Sequence, residues 1–510
     1  MSARKIRLVD TSTRDGNQSL WGETGLTTGM VEAVGSSLER AGFLAIDFTS
    51  STHLSVGVRW HHEDPWERIR RMRTVVPTTP LSLITTGMRF MAWDRSPESV
   101  MRLAMRSLAR NGMRRLQIAE PSNDVVAASK VAQLAKEEGI EIVVAAVTFT
   151  ESPVHTDSLY REAAARLAKD PAIDAVYIKD PGGLLTLERT ATLVPELRTA
   201  VGDTPLELHS HCTTGIASQV YVLAAELGID VLHTAIGALS NGTSQPSATN
   251  LVENLATLGL DVDIDLDAIA EAERLIARFA QTQHLDPGRP LEYDLSVHRH
   301  QIPGGMMGTL RRQMIELRMP ELLPRVLEEV ALVRAELGYP IMVTPYSQFV
   351  GSQAVLNVMS AQAGQPRWSQ LPDEIIRYVL GHFGPPPGPV ADIVTERVAA
   401  APRTKELEQP LPDPTIDELR ARVATTLGRD VDDDEVVLRV VLPGDQLDAI
   451  KRPAPVWHDA PDSATTFVEG VNPLPKWRSI AITRGTERVA LNRATADTNA
   501  QADTNPQAAP

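Results

Sequence analysis

The first half of the chain is predicted to fold as a (β/α)8 TIM barrel, an α/β architecture, followed by a mainly helical C-terminal domain and a disordered tail. Two observations predict the barrel. Eight short β-branched runs alternate with longer amphipathic stretches over about 250 residues, as parallel strands alternate with covering helices. The residues best suited to chemistry collect at the carboxyl ends of these runs, where barrel enzymes place their active sites.

The predicted strands are residues 6–10, 44–48, 81–85, 115–118, 141–147, 175–178, 206–208 and 231–236. Helical periodicity lies between them at 28–41, 96–111, 124–138, 158–168 and 214–227. A doubly wound open sheet is the alternative, but it needs fewer strands, and its dinucleotide site needs a glycine-rich first turn. No G-x-G-x-x-G follows any strand.

Arg14 and Asp15 follow the first strand, Lys179 and Asp180 close the sixth, and His209 and His211 close the seventh. In an H-x-H at a strand end both imidazoles share one face. Strands seven and one become near neighbours once the barrel closes through strand eight, so Asp15, Lys179, His209 and His211 can converge at the rim. Imidazole and carboxylate suit a divalent metal: zinc, or else manganese or cobalt.

The 510 residues imply two or three domains, and 43% hydrophobic with 23% charged residues describes a globular protein. A net charge of −15 argues against nucleic acid as a partner. No apolar run reaches the roughly 18–20 residues of a membrane span. MSARKIRLVD runs directly into the first strand and leaves no room for a signal peptide. The single cysteine, Cys212, excludes an internal disulfide and points to a reducing, cytoplasmic setting.

Beyond residue 260 helical patterns dominate, at 266–283, 322–337, 373–380 and 416–425. GPPPGP at 384–389 reads as a stiff linker or turn. The acidic run at 430–435 reads as a solvated face or loop. The expected domains are the barrel at 1–262, a helical extension at 263–390, a small α/β segment at 391–482 and the disordered tail at 483–510.

Six motifs, in order, resemble the carboxyltransferase family of pyruvate carboxylase, the oxaloacetate decarboxylase alpha chain and transcarboxylase. They are DTSTRDGNQSLW at 10–21, YIKDPGGLL at 177–185, LHSHCTTG at 208–215, TAIGALSNGTSQPS at 234–247, HQIPGGM at 300–306 and VTPYSQFVGSQAVLNV at 343–358. The resemblance implies that Asp15, His209 and His211 bind metal and that Lys179 is carbamylated, its carbamate oxygen completing the shell. It implies that Arg14 and Gln18 hold the keto oxygen of a 2-oxo acid as an enolate develops.

Three positions depart from the family pattern. Thr86 stands where the family has an arginine for the substrate carboxylate, with Arg89 three residues later. Gly308 stands where a threonine or serine shuttles a proton, and Thr309 comes one place late. Cys212 replaces an aspartate and reads as a small buried residue rather than a soft extra ligand. The loss of a fixed charge at Thr86 predicts an acceptor other than pyruvate, with a neutral or bulkier group there, unless Arg89 reaches the same spot.

The resemblance implies transfer of a carboxyl group between biotin and the carbon beside a carbonyl. The chain has no M-K-M tripeptide and no convincing ATP-binding glycine loop. Biotin is therefore expected in trans, on a biotin carboxyl carrier protein charged by a biotin carboxylase subunit, and the family favours a homodimer. The alternatives are a biotin-independent metal-dependent lyase or aldol-type synthase, which shares the R-D and H-x-H signatures, and a non-catalytic scaffold.

Overall fold

The computed structural model describes residues 5–91, 95–409, 412–457, 479–484 and 487–492. Eight parallel strands form the predicted barrel: β1 Lys5–Asp10, β2 Ala45–Ser50, β3 Leu81–Thr85, β4 Arg115–Ile118, β5 Ile142–Thr148, β6 Ala175–Asp180, β7 Leu206–Ser210 and β8 Val231–Thr234. Each pairs with the next, β8 pairs with β1, and β1 pairs with β2 to close the ring. A two-residue strand, Asp261–Val262, adds to the entry side of β1.

The two faces of the strands do different work. Outward residues such as Leu8, Ile46, Leu83, Leu116, Val143, Val176, Leu208 and Leu232 pack beneath the helices in one large core. Inward residues alternate with them. Val9, Ala45 and Val231 form one inner apolar cluster, and Ile84, Ala119, Val144, Ala146, Ala175 and Tyr177 form another. Two polar pairs lie inside the barrel, one across it and one between adjacent strands. Arg115 Nη2 donates to Glu207 Oε2 at 2.5 Å, and Gln117 Nε2 donates to Ser82 Oγ at 3.1 Å.

Helices Thr28–Ala41, Glu98–Asn111, Val125–Glu137, Asp157–Leu167 and Ala217–Leu227 occupy the predicted periodic stretches. The wall also contains Pro65–Val75 and Leu187–Val201, which the sequence reading leaves unassigned. The first is arginine-rich, and Pro195 interrupts the second. Helix Leu266–Gln283, placed by sequence in the extension, packs on Thr28–Ala41, and its Ile269, Ala272, Ile276 and Phe279 join the barrel core.

A second core lies beyond the barrel. Val326, Val330, Tyr346, Phe349, Trp368, Ile375, Tyr378, Val394 and Leu407 belong to it. Residues 384–389 are held to it as a turn: Gly388 N–H donates to the Gly338 carbonyl at 2.9 Å. Leu419, Val423, Val436 and Val437 instead pack on the barrel core, so the segment expected at 391–482 divides between two cores.

The acidic run at 430–435 is not a solvated loop. Asp432 caps the helix Asp433–Val441 through the Glu435 N–H, and acidic residues complement the positive end of a helix. Asp433 pairs with Arg106 and Asp434 with Arg110, which dock this helix on Glu98–Asn111, and Asp433 also pairs with Arg420 of the helix Ile416–Leu427. The sequence pattern shows the charge but not the arginines that meet it.

Residues 1–457 form one compact unit and 458–510 another. In the second, Ser479–Arg484 and Glu487–Asn492 pair antiparallel, so the start expected for the disordered tail at Thr483 falls within a strand. Residues 493–510 lie outside the described residues. No described helix is long and apolar enough to cross a membrane.

The Arg115–Glu207 pair tests the inner packing. Both side chains are almost fully buried, and burial is outweighed by Arg115 and His233, so the Glu207 carboxyl is held down at about 2. Removing one partner strands a buried charge. Arg115→Met is expected to destabilise the protein by about 3–5 kcal/mol in chemical denaturation. Arg115→Met with Glu207→Leu is expected to cost less than the single change; a larger cost for the double variant would refute the assignment.

Candidate metal centre

The residues following β1 form one π-helical turn, Ser12–Gly16, which continues into the helix Asn17–Trp21. This turn carries Arg14 and Asp15 over the carboxyl end of the barrel and leaves Gln18 half-buried above them. Lys179 is an inward residue of β6, in register with His209 of β7. His211 lies two residues beyond His209, on the same side. The four residues that sequence places at strand ends all come to this mouth.

Asp180 explains the local chain path. Its carboxylate accepts from the Leu184 and Leu185 N–H groups at 2.8 and 2.9 Å and from Ser210 Oγ at 2.8 Å. It therefore folds the P-G-G-L-L turn back on β6 and holds that turn to β7. Gly183 is required there. Its φ is +65°, and a Cβ would lie 2.3 Å from the His211 carbonyl oxygen.

Three donor atoms, from Asp15, His209 and His211, lie within 4.8 Å of one another. Asp15 Oδ2 is 2.8 Å from His209 Nε2 and 3.4 Å from His211 Nε2, and the two Nε2 atoms are 3.3 Å apart. The ring protons follow from the partners behind them. Glu207 Oε2 can only accept from His233 Nε2, 2.8 Å away. His233 Nδ1 then accepts from His209 Nδ1 at 3.2 Å. His211 Nδ1 donates to the Thr243 carbonyl at 2.7 Å.

Both Nε2 lone pairs therefore face the Asp15 carboxylate, and burial keeps His209 neutral, well below the usual imidazole range, with Lys179 adding to the effect. Three acceptors at this spacing repel one another unless a positive centre lies among them. Arg14 Nη1 reaches Asp15 Oδ2 alone, at 3.1 Å, and the donor within reach of all three is one amide group, Gln245 Nε2, at 3.2–3.4 Å. The donor set fits a divalent cation: neutral imidazoles with protonated outer nitrogens fixed by hydrogen bonds, and a carboxylate. Burial opposes the charge on Asp15, but the Arg14 guanidinium holds it well below the usual carboxylate range.

Burial pulls the Lys179 ammonium down to about 8 against the attraction of Asp15. Arg14 is clamped: Nε donates to Asp47 Oδ2 at 2.9 Å, Nη2 donates to the same oxygen, and Nη1 lies 3.1 Å from Asp15 Oδ2. Of five guanidinium N–H groups, two are left unspent by these contacts. Among the described residues the Gln18 amide has no hydrogen-bond partner.

Above the donor atoms lies a cavity of about 380 Å³. Arg14, Asp15, Gln18, Thr86, Lys179 and His211 line its barrel side. Gly304–Met306, Gly308, Arg312 and Thr344 line the other, from the second core's side. Thr86 is the inward position after Ile84 and faces the cavity. Arg89 does not line it. Arg89 donates through Nη1 to the Thr86 carbonyl at 2.9 Å and lies over the Phe383 ring, 5.1 Å from its centre. The Thr309 side chain lies outside the described residues. Cys212 is buried, its thiol pushed up to about 12 by burial, and it is not among the gathered donor atoms.

Sequence reading misses Asp47, Glu207, His233, Gln245 and Glu23. Glu207, His209 and His211 alternate in LELHSH, so the same period that pairs the imidazoles also marks Glu207 as inward. Asp47 and His233 are polar breaks in the apolar strands β2 and β8. Glu23 lines the cavity, and burial raises its carboxyl to about 7; its position depends on a left-handed turn, φ +69°, that no motif signals.

Comparison with known proteins bears on the fold and the family. An HMGL-like family profile matches residues 5–276, and the profile of the conserved carboxylase domain matches residues 297–489. A pyruvate carboxylase subunit of Methanocaldococcus jannaschii is 32% identical over 401 residues, 77% of this chain and 68% of the relative. The methylmalonyl-CoA carboxyltransferase 5S subunit of Propionibacterium freudenreichii subsp. shermanii is 26% identical over 445 residues, 86% of each chain. The carboxyl transferase domain of Rhizobium etli pyruvate carboxylase, solved with pyruvate and biocytin, shares the fold at a TM-score of 0.79 and 24% identity, over 88% of this chain and 77% of that one. The chain belongs to the carboxyltransferase family of pyruvate carboxylase, the oxaloacetate decarboxylase alpha chain and transcarboxylase.

Proposed function

We propose that this chain is the carboxyltransferase subunit of a multi-subunit biotin-dependent carboxylase or transcarboxylase. It moves a carboxyl group between N1 of carboxybiotin, carried on a separate protein, and the carbon beside an acceptor's carbonyl. The observation that carries this reading is the cavity itself. Its floor is a ready-made set of metal donors, and its opposite wall comes from the region matched by the conserved carboxylase domain. A biotin-independent lyase or aldol-type synthase accounts for the barrel but not for that second region.

Asp15, His209, His211 and carbamylated Lys179 would hold one divalent ion, with zinc favoured by two nitrogens and two oxygens. The bound ion supplies Lewis acidity to the acceptor's carbonyl oxygen. Lys179 suits carbamylation because its amine is buried, beside His209, and close to neutral at mildly alkaline pH. The amine adds CO2, loses a proton and becomes an anionic oxygen donor.

Arg14, locked by Asp47 and Asp15, offers its remaining N–H groups to the same carbonyl oxygen, and the Gln18 amide adds a further donor. Donors fixed before reaction stabilise an enolate without reorganising as charge develops. The relatives named as subunits support a multi-subunit arrangement with biotin supplied in trans.

Elemental analysis is expected to find about one divalent ion per chain. His209→Ala should lose it, and retained metal in that variant would sink the assignment. Lys179→Ala should weaken binding. His233→Ala leaves the donor atoms in place but removes the acceptor that fixes the His209 proton, so competition with a chromophoric chelator should show roughly 10–100-fold weaker affinity.

Streptavidin blotting of the purified chain is expected to be negative. Carboxyl transfer should appear only when a biotinylated carrier or free biotin is supplied. A positive blot would place the biotin on this chain and overturn the arrangement in trans.

A further inference from the structure

The cavity wall contributed by the helix Gly304–Glu316 has an unusual face. Gly304, Gly308 and Arg312 follow at four-residue spacing, so they share one side of the helix, and all three line the cavity. Gly304 lets the helix approach Thr243 closely: a Cβ there would lie 2.2 Å from Thr243 Cγ2. Thr243 is also the residue whose carbonyl fixes His211. The start of the helix is thus docked on the loop that orients a metal donor.

At Gly308 a Cβ would meet nothing within 4 Å, so the middle of this face is open space. Helical side chains lean toward the amino terminus, over the preceding turn. The Arg312 stem therefore runs back along the face that Gly308 leaves bare, toward the centre of the cavity.

The other cations near this cavity are committed. Arg14 is clamped between Asp47 and Asp15. Lys179 stands with the metal donors. Arg89 lies off the wall, over Phe383. Among the described residues no carboxylate pairs with Arg312. At the end of β3, Thr86 offers no charge. A guanidinium with its donors unspent, facing a cavity built for a carbonyl substrate, is matched by a carboxylate.

We propose that Arg312 binds the carboxylate of a 2-oxo-acid acceptor from the helix face, and that Gly308 leaves the space for it to do so. This replaces the expectation, drawn from Thr86 alone, of an acceptor that is neutral at that end. The inference rests on the carboxyltransferase reading and names the acceptor's class.

The test uses the full chain, metal-loaded, with a biotinylated carrier. Steady-state transfer is measured with pyruvate and longer 2-oxo acids, with their neutral esters, and with acyl-CoA thioesters, and the binding of oxamate is measured by calorimetry. Arg312→Gln is expected to raise KM for the 2-oxo acid and Kd for oxamate by roughly 10–100-fold, with a smaller effect on kcat. Arg312→Lys should recover part of the loss. Arg311→Gln, the same charge change one residue away and off this face, should leave both constants unchanged.

Unchanged KM and oxamate affinity in Arg312→Gln would overturn the proposal. So would a loss confined to acyl-CoA acceptors, which would assign Arg312 to phosphate; in both results transfer itself stands. If the unaltered protein transfers to no acceptor from any biotin carrier, the carboxyltransferase reading falls and the proposal falls with it.

Discussion

The site depends on the protonation of one imidazole. Arg115 fixes Glu207, Glu207 accepts the hydrogen bond of His233 Nε2–H, and His233 Nδ1 accepts that of His209 Nδ1–H. Each step leaves one option for the next. The chain ends with a bare Nε2 aimed at Asp15, and His211 reaches the same state independently through the Thr243 carbonyl. A buried carboxylate and two buried lone pairs in contact are unfavourable alone and favourable around a cation. The interior of the barrel is thus built to make its mouth a place for positive charge.

The same economy governs Arg14. A guanidinium held by two carboxylates cannot swing, which costs two buried acids but gives donors of fixed direction. Opposite this rigid floor stands a wall from a different core, reached through glycines. Gly304 brings the helix against Thr243, and Gly308 keeps the space beneath Arg312 open. One side of the cavity is set by barrel geometry, and the other by a helix packed on it. A family with one chemistry and many acceptors can vary the second without disturbing the first.

Much of this was legible in the residues. Alternation identifies the eight strands, and the strand ends identify Asp15, Lys179, His209 and His211, because in a barrel only one end serves chemistry. Residues whose role depends on a distant partner were not legible. Glu207 and His233 lie on the right faces, yet nothing local shows that they touch each other. The acidic residues at 430–435 look solvated until Arg106, Arg110 and Arg420 are seen to meet them. The sequence pattern leaves the helix Gly304–Glu316 unassigned, since three of its first five residues are glycines; Pro303 occupies its N-cap, and Gly304 serves a close approach to Thr243.

The proposed divalent ion at the barrel mouth would lie among Asp15, His209, His211 and a carbamylated Lys179. The most direct measurement is a crystal structure of protein prepared with bicarbonate, with anomalous data collected at the metal's absorption edge. The account predicts a single anomalous peak bonded to both Nε2 atoms and to Asp15, with continuous density for a carbamate from Lys179 Nζ to the ion. Crystals of metal-replete protein that show no peak at this position, or show Lys179 as a free ammonium ion paired with Asp15, would contradict it.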